Sequence, residues 1–366
     1  MTRLWLTFCS FWLLLLAISG QAETRHLRFV DQNGKPIPDV TVSFSYRADL
    51  PHPSAPGRSG AVRSDSEGRV TLIHPCGIST GSCCALVTPI SYSISKLGYQ
   101  FSPSTGSVPC QNPLSVEVTV AGIGTEFPKL ATVSAANYKA PLTTEMLAVS
   151  FGSNLATQTE ASQLPLPTLL AGRRIVIVDE LAKEHLAFLL FVSPTQINFV
   201  VPAEVASGLA TLALKDASDQ ILGVSFITVL PVSPGIFTAN ADGQGVPAAV
   251  ILRVRANGSQ EYEPVAQFDA TLRRFVPLAL DLGPDSEFVV LSLFGTGWRQ
   301  VRSIAEAEVT IGGVDCPVEY AGKQPTIEGL DQINVRLLRT LIGMGDVTVE
   351  VKFGSASANR VQLKIK

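Results

Sequence analysis

Short runs in which apolar and polar residues alternate are the dominant pattern of this sequence. The run QINFVVP places Ile197 and Phe199 on one face of an extended strand, and QINVRLL does the same with Ile333 and Val335. Similar runs recur between Gly, Pro, Asn and Asp residues, whereas helical periodicity is nearly absent. The pattern predicts an all-β protein in which one face of each strand packs into a core.

The two Gln-Ile-Asn runs belong to a longer internal repeat. LAVSFGSNLA, SPTQINFVVP and GLATLALKD recur in order as VVLSLFGTGW, GLDQINVRLL and GDVTVEVKFG. We place the copies at 122–232 and 233–366. The Gln and Asn amides lie on the face opposite the core, where we expect them to satisfy backbone groups of an incoming loop, with ligand binding as the alternative.

The second copy opens with a connector, AAVILRVRANGSQEYEPVAQFD, that predicts a hairpin with its turn at Asn257-Gly258. RRFVPLALDL predicts a further strand pair after it. Two interpretations of the hairpin remain open. Either its edge is free for a partner strand, or the hairpin folds back onto its own sheet.

The first 22 residues have the layout of a secretory signal peptide: Arg3, an apolar run from Leu4 to Ile18, and small residues before Ala22. Cleavage near Ala22 leaves 344 residues and an exported chain. We therefore expect a secreted, periplasmic or cell-surface protein with no membrane span in the mature chain.

Charge and length narrow the range of partners. The formal charge is −3, or −4 once Arg3 is removed, so no basic excess attracts nucleic acid. The mature length is sufficient for two or three domains with cores of their own. The partner expected is an unknown extracellular protein or a polysaccharide.

Five cysteines remain after cleavage, and four of them cluster within 35 positions. In an exported chain this clustering predicts local disulfides, whose connectivity the sequence does not determine. The candidates are Cys76, Cys83, Cys84 and Cys110. A zinc site from His74 and these cysteines is the alternative, although no C-x-x-C pair is present.

The first domain, 23–121, contains DQNGKPIPDV and later DSEGRV. These motifs resemble those of carboxypeptidase-regulatory-like or transthyretin-like β-sandwich domains. The insert RADLPHPSAPGRSGAV and the cysteine-rich stretch depart from that family. Its turns carry two sets of oxygen-bearing side chains, Asp31, Asn33 and Asp39, and Asp65 and Glu67, which either form the turns or bind calcium.

The ordered motifs VSFGSNLA, SPTQINFVVP, SPGIFT, FGTGW, CPVEYAG and GLDQINV resemble the C-terminal domain family of exported acidobacterial proteins of the Solibacter type, from about residue 135 to 366. The resemblance implies tandem immunoglobulin-like β-sandwiches of the kind found in adhesins and surface receptors. It implies no catalytic residue. Cys316 departs from the small apolar residue usual at its position and is expected to be buried.

No catalytic motif appears in the sequence, and no cofactor or metal is expected. The four histidines lack paired ligand spacing, and His185 stands beside Lys183 and Glu184 in what we expect to be an exposed loop. A Ser-His-Asp triad would therefore lack a suitable histidine. We predict a protein that is not an enzyme.

Trp298 is the only tryptophan that remains after cleavage, and it follows a glycine turn. It is a candidate ligand contact if its ring is exposed to a sugar, and a core residue otherwise. The function favoured is adhesion, scaffolding or ligand recognition through sandwich loops and edges. The alternatives are a carbohydrate-binding accessory of a secreted hydrolase, and an enzyme with an unrecognised site.

Overall fold

A computed structural model of the protein describes residues 23–46, 58–74, 90–96, 98–108 and 118–366. The chain divides into two compact units, Met1–Phe127 and Pro128–Lys366. In the described ranges nearly all regular structure is β-strand, and none of the helical elements there has the length and apolar character needed to cross a membrane. The predicted leader, residues 1–22, lies outside the described residues.

The first unit is built from antiparallel strands and one parallel pair. Its described strands are β1 (Glu23–Asp31), β2 (Thr41–Tyr46), β3 (Arg58–Arg63), β4 (Arg69–His74), β5 (Ile90–Ser95), β6 (Tyr99–Ser102), β7 (Thr105–Val108) and β8 (Val118–Glu126). They form two sheets, in the orders β4-β1-β8-β6 and β3-β2-β5-β7. The sheets share a core in which Phe29 and Phe101 meet edge to face at 6.1 Å.

Tight turns in this unit follow from their sequences. The Asp31 carboxylate accepts the backbone N–H groups of Asn33 and Lys35, and Gly34 has a φ of 80°. A positive φ is what the predicted Asn-Gly turn requires.

The second unit begins with a sandwich that we call repeat 1. Its strands are β9 (Ala131–Ser134), β10 (Leu147–Phe151), β11 (Glu160–Ala161), β12 (Arg173–Val178), β13 (Glu184–Leu186), β14 (Phe188–Val192), β15 (Gln196–Val200), β16 (Gly208–Asp216) and β17 (Ile221–Val229). They form sheets in the orders β11-β14-β15-β10-β9 and β13-β12-β16-β17.

The rest of the second unit is a larger sandwich, repeat 2. Its strands are β18 (Gly235–Ile236), β19 (Ala249–Val254), β20 (Gln260–Pro264), β21 (Ala266–Asp269), β22 (Arg274–Pro277), β23 (Ala279–Leu280), β24 (Phe288–Thr296), β25 (Ala307–Ile311), β26 (Val314–Asp315), β27 (Val318–Lys323), β28 (Asp331–Leu337), β29 (Gly345–Phe353), β30 (Ala356–Ser357) and β31 (Val361–Ile365). Two 3-10 turns, Ile304–Glu306 and Arg339–Leu341, join some of them.

The two repeats have the same strand order. In one sheet β14-β15-β10 of repeat 1 corresponds to β27-β28-β24 of repeat 2, and in the other β13-β12-β16-β17 corresponds to β26-β25-β29-β31. The predicted fold class, all-β with tandem immunoglobulin-like β-sandwiches, is confirmed.

The alternation predicted for the Gln-Ile-Asn strands is confirmed in both repeats. Ile197 and Phe199 are fully buried in the core of repeat 1, and Ile333 and Val335 are fully buried in that of repeat 2. Burial of each such side chain contributes roughly 1.5–3 kcal/mol relative to an exposed position. A shift of one residue in register would turn these side chains to the outer face.

The predicted hairpin at Asn257-Gly258 is confirmed as β19 and β20. The Asn257 side chain accepts the Ser259 N–H at 2.9 Å, and Gly258 has a φ of 82°. Because β19 also pairs with β24, the hairpin is part of its own sheet, and β20 forms the edge. The segment RRFVPLALDL contains two short strands, β22 and β23, but they do not pair with each other as predicted. β22 pairs with β21 of the connector, and β23 pairs with β31.

The two repeats are joined by direct hydrogen bonds, which we call the inter-repeat seam. The Thr296 hydroxyl accepts the Leu147 N–H at 2.8 Å and donates to the Gly329 carbonyl at 2.7 Å. The Ser233 hydroxyl of repeat 2 donates to the Pro141 carbonyl of repeat 1 at 2.5 Å. A Cβ added at Gly329 would come within 2.7 Å of the Leu147 side chain, so only glycine fits there without displacement.

Candidate functional site

The exposed face of the sheet β3-β2-β5-β7 is rich in hydroxyl groups. Strand β2 has the sequence TVSFSY and β5 has ISYSIS, so serine alternates with large residues. Phe44 and Tyr92 are half-buried and pack against the core of the first unit, whereas Ser43 and Ser93 are exposed. Strand alternation therefore places the serines together on the face opposite the core.

The strand register arranges these hydroxyls in two rows that cross three strands. The rows are Ser43, Ser93 and Thr105, and Ser45, Ser91 and Ser107. Neighbouring strands lie about 4.8 Å apart, and alternate residues along a strand are about 6.6 Å apart. The face is therefore a regular grid of small hydroxyl side chains, which we call the hydroxyl face.

A shallow depression of about 640 Å³ lies at this grid and is lined by residues 43–45, 91–93 and 105–107. None of these lining residues carries a charge at neutral pH. Each hydroxyl can donate one hydrogen bond and accept two, so the grid offers many directional contacts to a neutral polar ligand.

Glycines on the core side of the same strands accommodate the aromatic rings. Gly106 lies opposite Tyr92 in the register, and a Cβ there would come within 2.3 Å of the Tyr92 hydroxyl. Gly60 is opposite Phe44, and a Cβ there would approach its ring at 3.0 Å. Burial raises the pKa of the Tyr92 phenol.

Trp298 is fully buried, so the suggestion that its ring contacts a ligand at the surface is wrong in this structure. Its ring stacks on Phe353 with centroids 5.6 Å apart. Gly295 leaves room for the indole ring, because a Cβ there would lie 2.1 Å from it. The core interpretation of Trp298 is the one that holds.

A buried ion pair lies next to Trp298. The Arg299 Nε donates to Asp331 Oδ1 at 2.7 Å, and Asp331 Oδ2 accepts the Trp298 N–H at 2.9 Å. Burial raises the pKa of Asp331, and the Arg299 charge opposes that shift. Glu145 of repeat 1 lies 3.7 Å from the Arg299 guanidinium, so the pair also adjoins the inter-repeat seam.

The prediction that His185 lies in an exposed loop is wrong. His185 is in strand β13, and its Nε2 lies 2.9 Å from the buried Asp179 carboxylate. Burial raises the pKa of Asp179, but hydrogen bonds from the Lys183 N–H, the His185 ring and other backbone N–H groups outweigh this effect and lower the pKa to about 2. The carboxylate anchors the turn after β12. In a triad the serine would bond to the histidine, and no described serine is hydrogen-bonded to His185.

The candidate disulfide residues Cys76, Cys83, Cys84 and Cys110 lie outside the described residues. Cys316 is a buried free thiol, and burial raises its pKa. Within the described ranges no group of three His, Cys, Asp or Glu side chains is placed to hold a metal ion.

No protein-family model matches the sequence, and no curated protein matches it. Among solved structures, SGBP-B of a mixed-linkage glucan utilization locus of Bacteroides ovatus, in complex with a mixed-linkage heptasaccharide, has 11% identity and a TM-score of 0.30, with 95% of this chain and 67% of that chain covered. The major pilin subunit BcpA of Bacillus cereus has 11% identity and a TM-score of 0.23, covering 87% of this chain and 96% of that one.

The titin immunoglobulin tandem A164-A165 has 10% identity and a TM-score of 0.20, with 65% of this chain and 95% of that chain covered. All of these TM-scores are low, so the likeness carries no argument about what this chain binds.

Proposed function

We propose that this protein is a non-catalytic recognition protein of the cell exterior that binds neutral polysaccharide on the hydroxyl face of its first unit. The hydroxyl face is the observation that carries the proposal. It offers an uncharged, regular array of donors and acceptors in a shallow depression, and a polysaccharide presents hydroxyl groups at repeated intervals.

The chemistry of the face fits a neutral polymer better than a charged ligand. A hydrogen bond between neutral groups contributes only about 0.5–1.5 kcal/mol in water, so useful affinity requires many bonds formed at once. Six hydroxyls in two rows supply that number, and a rigid sheet holds them at fixed spacing.

Two features of the sequence support an exterior location. The N-terminal 22 residues have the layout of a secretory signal, and the ordered motifs of 135–366 resemble those of exported acidobacterial proteins. The carboxypeptidase-regulatory-like resemblance of the first unit adds no catalytic residue. An accessory of a secreted hydrolase remains compatible with the same face, but a role for Trp298 in it does not.

The test is retention of the mature protein, residues 23–366, by soluble neutral polysaccharides in affinity electrophoresis. Hydroxyethylcellulose, arabinoxylan and dextran serve as probes, and alginate serves as a charged comparison. The variant changes Ser43, Ser45, Ser91 and Ser93 to alanine together. The matched control changes Thr348 and Ser357, two exposed hydroxyls on strands of repeat 2, to alanine.

We expect the four-serine variant to bind roughly 30-fold more weakly, since four lost bonds of about 0.5 kcal/mol amount to about 2 kcal/mol. The control variant is expected to bind like the natural protein. Binding to a neutral polymer should also change little between about 0.05 and 0.5 M salt. Retention by none of the neutral probes, or equal retention of the four-serine variant, would contradict the proposal.

A further inference from the structure

The two Gln-Ile-Asn strands carry the same side-chain contact on their outer faces. The Gln196 side-chain amide donates to the Asn198 side-chain carbonyl at 2.7 Å in repeat 1. The Gln332 amide donates to the Asn334 carbonyl at 2.8 Å in repeat 2. Among the described residues these amides make no bond to an incoming loop, and their side-chain bonds there run within each pair.

An aromatic ring lies across the neighbouring strand from each amide. Phe151 is opposite Gln196 in the register of repeat 1, and Phe191 is opposite Asn198. In repeat 2, Phe294 is opposite Gln332, and Tyr320 is opposite Asn334. We call each set of two rings and two amides an amide-aromatic patch: patch A is Phe151, Phe191, Gln196 and Asn198, and patch B is Phe294, Tyr320, Gln332 and Asn334.

A β-bulge at the same place in each repeat gives the second ring its position. The register shifts between Leu189 and Phe191 in repeat 1, and between Val318 and Tyr320 in repeat 2. A bulge inserts one residue, so the side chain that follows it changes face. Without the inserted residue Phe191 and Tyr320 would point toward the cores rather than stand beside the asparagines.

Each patch is accessible and keeps spare hydrogen-bonding capacity. Tyr320 is 40% exposed, and the other seven patch residues are partly exposed. After the Gln-to-Asn bond is made, one amide carbonyl and one amide nitrogen of every pair have no further partner among the described residues. This holds whichever way round the amides are assigned, because each pair contains two carbonyls and two amino groups.

Burial in the sandwich cores does not account for these patches, although Phe151 also contacts the Tyr138 ring at 6.1 Å between centroids. The core side of the same strands is already filled by fully buried residues such as Ile197 and Ile333. A partly exposed ring beside an unsatisfied amide is instead the combination that a sugar ring fits: its C–H face packs on an aromatic ring, and its hydroxyls bond to the amide donor and acceptor. No patch residue is charged, which favours a neutral ligand.

The two patches lie close to each other along a path that passes through the inter-repeat seam. Val200 follows Asn198 of patch A by two residues, and its side chain contacts Gly329 of repeat 2. Gln332 of patch B follows Gly329 by three residues. At about 3.3 Å for each residue, the Cα atoms of Asn198 and Gln332 are at most about 25 Å apart. One polymer chain is therefore long enough to occupy both.

We propose that patch A and patch B are twin subsites for sugar rings of a neutral polysaccharide, held at fixed separation by the inter-repeat seam. The inference rests on the proposed function for its ligand class, but it assigns binding to the second unit and not to the hydroxyl face. A polymer that occupies one patch raises the effective concentration of its own sugars at the other.

The experiment uses the mature chain, residues 23–366, and the variants Asn198→Ala, Asn334→Ala and the double variant. Gln362→Ala is the matched control, since Gln362 is an exposed amide on strand β31 of repeat 2. Tyr320→Ala tests the aromatic side of patch B separately. Thermal unfolding by circular dichroism establishes that every variant is folded before binding is measured.

Binding is measured by titration calorimetry with the retained polymer among hydroxyethylcellulose, arabinoxylan and dextran, and with its trisaccharide. For the polymer, we expect each single variant to bind about tenfold more weakly and the double variant to lose binding at the second unit. For the trisaccharide, which is too short to span both patches, each single variant should lose about one site while the remaining site keeps its affinity.

The outcomes separate this inference from the proposed function. If the four-serine variant loses binding and the double asparagine variant does not, the twin subsites are wrong and the hydroxyl face stands. If only the asparagine and Tyr320 variants lose binding, the twin subsites stand and the hydroxyl face is wrong. Equal binding by all variants, or no binding to any neutral probe, would overturn both.

Discussion

Replacement of Trp298 by alanine should destabilise the second unit strongly and leave its surface unchanged. The side chain is fully buried between Phe353, at 5.6 Å between ring centroids, and the backbone at Gly295. A buried aromatic of this size removes about 150–250 Å² from water, which is roughly 4–6 kcal/mol at 25 cal/mol per Å². Truncations of this type cost about 3–5 kcal/mol, so we expect about 4 kcal/mol.

Urea unfolding followed by far-ultraviolet circular dichroism measures this loss. With a dependence on urea of about 3 kcal/mol per molar, 4 kcal/mol lowers the midpoint by about 1.3 M. Trp298→Phe should lose less than Trp298→Ala, because a phenyl ring keeps the stack on Phe353. It gives up part of the buried apolar contact and the bond from the indole N–H to the Gln332 carbonyl. Leu209→Ala, at a side chain 73% exposed, is the control and should change stability by less than about 0.5 kcal/mol.

Fluorescence of the natural chain provides an independent check. Trp5 and Trp12 belong to the predicted leader, so Trp298 is the mature protein's only indole. Its emission should be that of a buried ring and should resist quenching by acrylamide until the second unit unfolds. A loss of stability below about 1 kcal/mol in Trp298→Ala, or ready quenching in the folded protein, would refute the packing described for this residue.

Three further predictions concern buried charge and backbone strain. Arg299→Met should cost about 3–5 kcal/mol in chemical unfolding, because it leaves Asp331 buried without its partner. The pKa of Asp179 is lowered to about 2 in the folded chain, so the ionised carboxylate stabilises the folded state fully above about pH 4, and this contribution is lost as the pH falls toward 2. Thermal unfolding across that range should show the loss in the natural protein and not in Asp179→Asn. Gly297→Ala should lower the unfolding temperature far more than Gly172→Ala, because both have positive φ but only at Gly297 would a Cβ meet a carbonyl at 2.0 Å, with nothing within 4 Å at Gly172.

Features that depend on neighbouring residues were predictable from the sequence. Alternation at Ile197 and Phe199 gave the buried face of β15, and Asn257-Gly258 gave the turn between β19 and β20. The repeated motifs also indicated two similar sandwiches. In each case the physical cause, side-chain period or backbone φ, acts over a few residues and is visible in the local sequence.

Features that depend on register between distant strands were not predictable. Phe151 meets Gln196 and Phe191 meets Asn198 only because particular strands pair and because a bulge shifts one of them. The rows of the hydroxyl face also depend on the register between strands. Alternation alone could have placed the serines of β2 and β5 on one face of each strand, but not in rows across the sheet. A periodic pattern gives the face of a side chain but not its neighbours across the sheet.

The environment of His185 could not be predicted from its neighbours in the sequence. The surrounding Lys183 and Glu184 made an exposed loop the expected environment, yet Asp179 is nearly inaccessible and draws the imidazole into contact. The backbone N–H groups that hold Asp179 come partly from Ala206, far along the chain. Nothing in the sequence around His185 reveals that donor.

The inter-repeat seam determines how this chain can be divided. Thr296 satisfies a backbone N–H of repeat 1 and a backbone carbonyl of repeat 2 with one hydroxyl. A fragment cut between the repeats would leave the Leu147 N–H without that acceptor and uncover the apolar side chains that Gly329 covers. Although the sequence contains two copies, the compact unit that holds these contacts is Pro128–Lys366, which includes both copies.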